Sequence, residues 1–271
     1  MSGGGMKCSY GAGVLLALSD HYGFFDPDIM IAASGSAGNA VYYLAREMQK
    51  TFIVWLSIAR DKKMFSLMRK PHFDIHYLVH TIFRKRFPFS ERYLKKTKTK
   101  LFLPVTSAND GRLIFLKPSR AESLYPYLEA ATALPFAYGK SVQVRGKEYI
   151  DGDFGSAIED LLKKAVEEGA TKIIMIDNDR AKDAYVRLLI RAYASLPKKM
   201  VNRGIQEAAR RDLKDKLLFV PPSYVDIIPV IPSKKLETTT LERRPGVIRR
   251  TINLGYDDAV NHPKLEELFR A

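Results

Sequence analysis

Three short stretches of the chain carry residues whose types and spacing could do chemistry. The first, Gly3-Gly4-Gly5-Met6-Lys7-Cys8, runs into a helix. Glycines let the backbone turn its N–H groups into open space, and the helix N-terminus behind them favours negative charge. Such a stretch suits a phosphate or an oxyanion, although a glycine run alone is more often a plain turn. The second, Ser34-Gly35-Ser36-Ala37-Gly38, lies between an apolar run and a helical segment. In a nucleophile elbow, G-x-S-x-G, the serine sits on a strained strand-to-helix turn, beside a helix N-terminus that stabilises developing negative charge. Matched to that pattern, Ser36 takes the serine position, Gly38 the last glycine, and Ser34 stands in for the first. Gly35 and Ala37 keep the turn small. The third, Asp151-Gly152-Asp153, closes a strand-like run. An Asp before Gly at a strand end is commonly a turn-former, and taken singly this one demands no chemistry.

The elements around these stretches alternate. Gly11 to His21 reads as a helix with Val14, Leu15 and Leu18 on one face, stopped by Gly23. Asp28 to Ala33 suits a buried strand, and Asn39 to Met48 is helical. Leu101 to Ser107 and Arg112 to Leu116 form a hairpin around Asn109-Asp110-Gly111. Leu124 to Leu134 is a helix that stops before Pro135. Ser141 to Val144 and Glu148 to Ile150 form a second hairpin, delivering the chain to Asp151. A helix over Ser156 to Glu168 and a strand over Ile173 to Ile176 follow. Beyond them come helical stretches at Lys182 to Ser195 and Lys198 to Lys214, then strands at Leu217 to Val220 and Ile227 to Ile231. Strands alternating with helices predict an α/β fold: a mostly parallel central sheet with helices on both faces, in three α/β/α layers. Only Met1 and Ser2 precede the glycines, where a strand would ordinarily lead in, so either a loosened glycine loop or an empty sheet position is expected.

The 271 residues suffice for one large domain, with a basic helical cap-like segment at about 51–100 and a helical and strand-containing C-terminal extension at about 180–271. A single cysteine, Cys8, excludes a disulfide framework and a cysteine-based zinc site, and fits a reducing compartment. The apolar run Val14 to Leu18 is far short of the roughly 20 residues that span a bilayer. A soluble, cytoplasmic protein is expected, one that touches a membrane from outside if at all. The net charge of +14 points to an anionic partner without choosing between nucleic acid and phospholipid. It is concentrated: residues 60–100 hold thirteen Lys or Arg against Asp61, Asp74 and Glu91. Phe65, Leu67, Met68, Phe73, Ile75, Tyr77, Leu78, Ile82, Phe83, Phe87 and Phe89 are interleaved with them, a palette that suits an anionic bilayer surface, where stems snorkel and rings insert. A nucleic-acid groove could use similar residues, but no helix-turn-helix, RNA-recognition or zinc-finger signature supports one. An ordinary core-packed cap is the blander reading.

Taken together, the glycine loop, the serine elbow and the Asp-Gly segment, in this order, resemble the patatin-like phospholipase family. Pro104 to Ala108 and Ala130 to Phe136 are similar to the stretches that separate elbow and aspartate there, and the likeness covers about Gly3 to Ile176. The resemblance implies a serine carboxylic-ester hydrolase acting on lipids, with Ser36 as nucleophile and Asp151 as its partner in a Ser-Asp dyad. It implies an oxyanion hole from Gly3, Gly4, Gly5 and Met6, an elbow framed by Gly35, Ala37, Gly38 and Gly152, and neither metal nor organic cofactor. Lys7 stands where the family usually has Arg, Cys8 where it often has Gly, and Asp153 where Gly or Ala is common. Those departures motivate a rival expectation, a patatin-fold lipid-binding protein of weak or no turnover. A third is a Ser-Asp-His triad using His262, in the chain order of α/β-hydrolases, although Asn261-His262-Pro263 reads as a surface turn. His72, His76 and His80 fall at i, i+4 and i+8. They read as a solvated or interfacial face in preference to a metal site.

Overall fold

The computed structural model describes residues 1–65, 71–178, 183–197, 201–214 and 219–270. A short 3-10 turn (Gly5–Cys8) leads into α1 (Ser9–Asp20), followed by β1 (Ile29–Ile31), α2 (Ser36–Leu44) and α3 (Met48–Arg60). The basic region continues as α4 (Ile75–Tyr77), which passes directly into a π-helical stretch, Leu78–Arg86, and then α5 (Glu91–Lys96). Next come β2 (Lys100–Ser107), β3 (Leu113–Leu116), α6 (Tyr125–Thr132), β4 (Val142–Val144), β5 (Lys147–Asp151), α7 (Ile158–Glu167) and β6 (Lys172–Ile176). The chain ends with α8 (Ala184–Ser195), α9 (Arg203–Leu213), β7 (Asp226–Val230), α10 (Pro245–Val260) and α11 (Pro263–Arg270). Of the strand expected at 217–220, residues 217 and 218 lie outside the described residues, as do 182 and 198–200 of the expected helices. Phe219 and Val220 are not in a strand.

The fold is α/β with helices on both faces of the sheet, and β1 shows why. Its side chains alternate, as strand geometry requires. Met30 and Ala32 enter the main core with α1, whereas Ile31 and Ala33 pack against Leu161 and Ala165 of α7. The strand directions differ from expectation. β2 is the hub, pairing parallel with β1 through residues 100–102 but antiparallel with β3 and β5, while β4 pairs antiparallel with β5. The five-stranded sheet is therefore mixed, because strands joined by tight hairpins must run antiparallel. In the β4–β5 turn Arg145 and Gly146 both adopt positive φ, 49° and 75°, the conformation a two-residue hairpin loop favours. The parallel β6–β7 pair forms a second sheet.

Residues 1 and 2 join the two sheets. Met1 N donates to Ile31 O (2.7 Å), Ala33 N donates to Met1 O (3.2 Å), and Ser2 N donates to Ile176 O (3.0 Å). Below this splice a cavity of about 710 Å³ lies between β1 and β6, floored by Leu15 and Leu18 of α1 and Leu161 and Leu162 of α7.

The C-terminal extension ends in two helices, α10 and α11. Val247, Ile248, Thr251, Ile252, Gly255 and Ala259 make one buried stripe along α10. α10 lies so close to α1 that a Cβ on Gly255 would be 2.1 Å from Tyr10 O, and one on Gly13 1.9 Å from Ile252 O.

Candidate active site

The registers of β1 and β5 on β2 aim their C-terminal ends at the same place. β1 runs up along residues 100–102 and β5 runs down from Ser107 to Val105, where it delivers Asp151. The meeting is closed by a buried hydrogen bond in which Ser34 Oγ donates to Asp151 Oδ2 at 2.6 Å. Ser34 is the first residue of the turn after the strand and holds φ = 52°, a left-handed conformation that costs a non-glycine residue about 1–2 kcal/mol. Gly35 follows as the cap of α2, and a Cβ there would come within 2.9 Å of Gly5 O, so only glycine lets the elbow and the glycine loop touch. On the other side Asp151 Oδ1 accepts the N–H of Asp153 (2.9 Å), which fixes the carboxylate.

The expected pairing of Ser36 with Asp151 is not formed. Ser36 is the first residue of α2, fully buried; its Oγ donates to Ser2 O (2.8 Å) and accepts from Asn178 Nδ2 (3.0 Å). Two residues beyond the strand's turn, helical geometry carries its side chain to the N-terminal splice instead of to Asp151. Asn178, at the end of β6, also donates from Nδ2 to Ser2 O (2.7 Å) and accepts the Gly11 N–H on Oδ1 (2.8 Å). Ser36 and Asn178 thus act as struts between the splice, α1 and α2. The sequence pattern missed Ser34 as the partner of Asp151. The signal for it was the predicted strand end at Ala33, which makes Ser34 the residue that must turn.

The glycine loop lies beside the elbow, with Gly4 and Gly5 at φ = 135° and 60°. Met6, expected among its donors, gives its N–H to Thr240 O (3.0 Å), and a Cβ on Gly5 would be 2.5 Å from that carbonyl. Gly3 backs onto the Asp153 side chain, while Gly38 faces Phe83. Gly152 packs on β2, where a Cβ would be 2.3 Å from the Pro104 backbone. Ala37 is buried in the main core. Lys7, nearly buried, pairs with Asp183 at 3.1 Å, and Asp183 accepts the N–H and hydroxyl of Thr240, both at 2.8 Å. Burial pushes the Asp183 carboxyl up, but these Thr240 and Lys7 donors outweigh it and hold it below its ordinary range. Burial pushes the Cys8 thiol up to about 12, keeping it protonated and inert.

Two cavities flank the loop. One, of about 50 Å³, is lined by Ser34 with apolar side chains including Trp55, Ile75, Leu78 and Phe83. The other, an open cleft of about 530 Å³, is lined by Asp153 with Lys7, Arg187, Arg191 and Lys214. Ser34 reaches the first and not the second. His262 is remote from this chemistry in its bonding: its Nε2 contacts Pro229 O (3.1 Å) at the turn between α10 and α11, so no Ser-Asp-His triad is assembled.

In the basic region the apolar residues take the core-packed arrangement, the blander reading. Phe65, Ile75, Leu78, Ile82, Phe83 and Phe89 are buried in the main core, with the bases outside them. Leu67, Met68, Arg69 and Lys70 lie outside the described residues. Arg86 pairs with Asp61 (2.9 Å) and Lys100 with Glu168 (3.4 Å).

The layered sheet and the strand-to-helix turn define an α/β hydrolase-like protein. Residues 1–159, more than half of the chain, match the family model for patatin-like phospholipase, and the chain belongs to that family. Membership supports lipid acyl hydrolysis as its general activity. No curated protein matches the chain. Asn178, Asp183 and Thr240, which brace the glycine loop, all come from beyond the matched segment. Among the described residues, no helix is long and apolar enough to cross a membrane.

Proposed function

We propose that the protein is a serine esterase of lipid acyl groups in which Ser34, not Ser36, is the nucleophile and Asp151 the general base. The observation that carries this reading is the 2.6 Å bond between Ser34 Oγ and Asp151, made by a serine at positive φ on a strand-to-helix turn. A serine hydroxyl is a weak nucleophile until a base removes its proton. Asp151 takes that proton as Oγ attacks the ester carbonyl, and returns it to the departing alcohol. Water then attacks the acyl-Ser34, giving its proton to Asp151, which passes it to Ser34 Oγ as the acyl–Oγ bond breaks and the fatty acid leaves. The oxyanion is held by the Gly35 N–H, which follows the nucleophile at the head of α2, together with the N–H groups of Gly4 and Gly5. Loss of one such donor costs about 3–4 kcal/mol in comparable sites.

The apolar cavity beside Ser34 takes the acyl chain. At about 50 Å³ it is small beside the roughly 300–1,000 Å³ of pockets that bury a drug-sized ligand. A long chain therefore enters only as Ile75, Leu78 and Phe83 give way. The exposed bases outside those residues bring the enzyme to anionic lipid by charge, with the rings serving as packing. Binding to anionic vesicles should weaken with salt. Equal binding to neutral and anionic vesicles would sink this part of the reading. The catalytic part is tested by hydrolysis of p-nitrophenyl esters and by labelling with a fluorophosphonate. Both should fail in Ser34→Ala and Asp151→Asn and persist in Ser36→Ala and His262→Ala.

A further inference from the structure

The histidines at 76 and 80 have a use that the esterase does not absorb. α4 and the π-helical stretch carry both on the side that faces α6, their rings 4.3 Å apart. His76 Nδ1 lies 3.3 Å from Glu129 Oε1, and His80 Nε2 lies 2.9 Å from Glu129 Oε2. The ligand atoms of the three residues all fall within 4.8 Å of one another. Around a tetrahedral zinc ion, with metal–ligand distances near 2.1 Å, ligand atoms stand about 3.4 Å apart; with Glu129 binding through one oxygen, the 2.9 Å His80–Glu129 separation widens slightly and the widest, within 4.8 Å, closes by up to about 1.4 Å. Tyr138 donates its hydroxyl to Glu129 Oε1 (2.8 Å), the outer hydrogen bond that a metal-binding carboxylate characteristically receives. His76 is two-thirds exposed, which supplies a path of entry, while Glu129 is nearly covered. π-helical turns are rare and occur frequently at functional sites.

The geometry points to a binding site for a divalent transition metal of the zinc class, held by His76, His80 and Glu129 with a fourth position open to water. It joins the basic helical segment to α6. Ile75 and Leu78, on the same segment, line the cavity beside Ser34, so the ion would fix the wall of that cavity from outside.

The test is calorimetric titration of chelator-stripped full-length protein with Zn²⁺, and with Co²⁺ for the visible absorption of a four-coordinate site. Neither readout depends on ester hydrolysis, so its outcome stands apart from the assignment of Ser34. Saturation at a single equivalent is expected, weakened about 100-fold in His76→Ala and His80→Ala and about 10-fold in Tyr138→Phe. His21→Ala, remote from the cluster, should bind as the parent does. The exposure of His76 makes its variant safe to fold if the others are not. Absence of saturable binding, or equal affinity in the parent and His76→Ala, overturns the site.

Discussion

The two serines of the elbow can be separated by their different debts to the structure. Ser36→Ala removes two neutral buried hydrogen bonds, to Ser2 O and from Asn178 Nδ2. Neither partner is orphaned, because Asn178 Nδ2 and Ser2 O still bond each other at 2.7 Å. The loss should be about 1–2 kcal/mol of stability. In a chain of this size that lowers Tm by roughly 3–6 °C, with activity kept within about tenfold of the parent at a temperature where both are folded. Ser34→Ala instead removes the nucleophile. Hydrolysis should fall by at least about 10⁴-fold, since a site without its nucleophile keeps only what oxyanion donors and binding provide. The assay is kcat/KM on p-nitrophenyl butyrate alongside thermal melts. Fragmentation mass spectrometry of the fluorophosphonate-labelled peptide, which contains both residues, places the adduct. An adduct on Ser36, or Ser34→Ala retaining a tenth of parental activity, would refute the assignment.

Further outcomes follow from the braces of the site. Asp183→Ala removes one nearly buried ion pair with Lys7 and two hydrogen bonds to Thr240, so stability should drop by about 3 kcal/mol. Activity should fall with it, and Lys7→Met in the same chain should restore part of the melting temperature. Phe83→Ala opens the wall of the acyl cavity at a cost of about 3–5 kcal/mol, and should raise octanoate over butyrate turnover; an unchanged ratio argues that the chain lies elsewhere. Glu242, bonded by the Arg244 side chain and by the Arg243 and Arg244 N–H groups, has its carboxyl lowered from 4.5 to about 2. Its contribution to stability is thus present above about pH 4.5 and lost as pH falls toward 2. Denaturant melts at pH 6 and pH 3 should differ less in Glu242→Gln than in the parent.

Much of this architecture was legible as pattern. Period-two runs bounded by Asn109-Asp110-Gly111 and Arg145-Gly146 marked both hairpins, and the same hairpins force the antiparallel directions that the α/β alternation did not suggest. The elbow was legible as a place but not as a frame. Its small residues fit G-x-S-x-G at Ser36, whereas the backbone turns at Ser34, and only the position of the strand end distinguishes the two. Asn178 and Thr240 gave no signal, because their partners, Ser2, Gly11 and Ser36 for the one and Met6 and Asp183 for the other, are distant in sequence and brought close only by long-range packing. α10 did carry a helical stripe, obscured by Gly246, Gly255 and the proline at its start. In the basic region composition could not tell rings that face lipid from rings that fill a core.

The two-residue splice between the sheets bears on how the molecule moves. Because Gly3, Gly4 and Gly5 follow Ser2 directly, the glycine loop hangs from the seam between β1 and β6, while Ser34 belongs to the β1 side alone. Any sliding of one sheet past the other therefore changes the distance between the loop's N–H groups and Ser34. Amide exchange should report the two sheets as separate cooperative units. With Ser34 and the glycine loop in their proposed roles, catalytic competence becomes a gauge of that alignment, and substitutions far out on β7 should alter turnover without approaching the substrate.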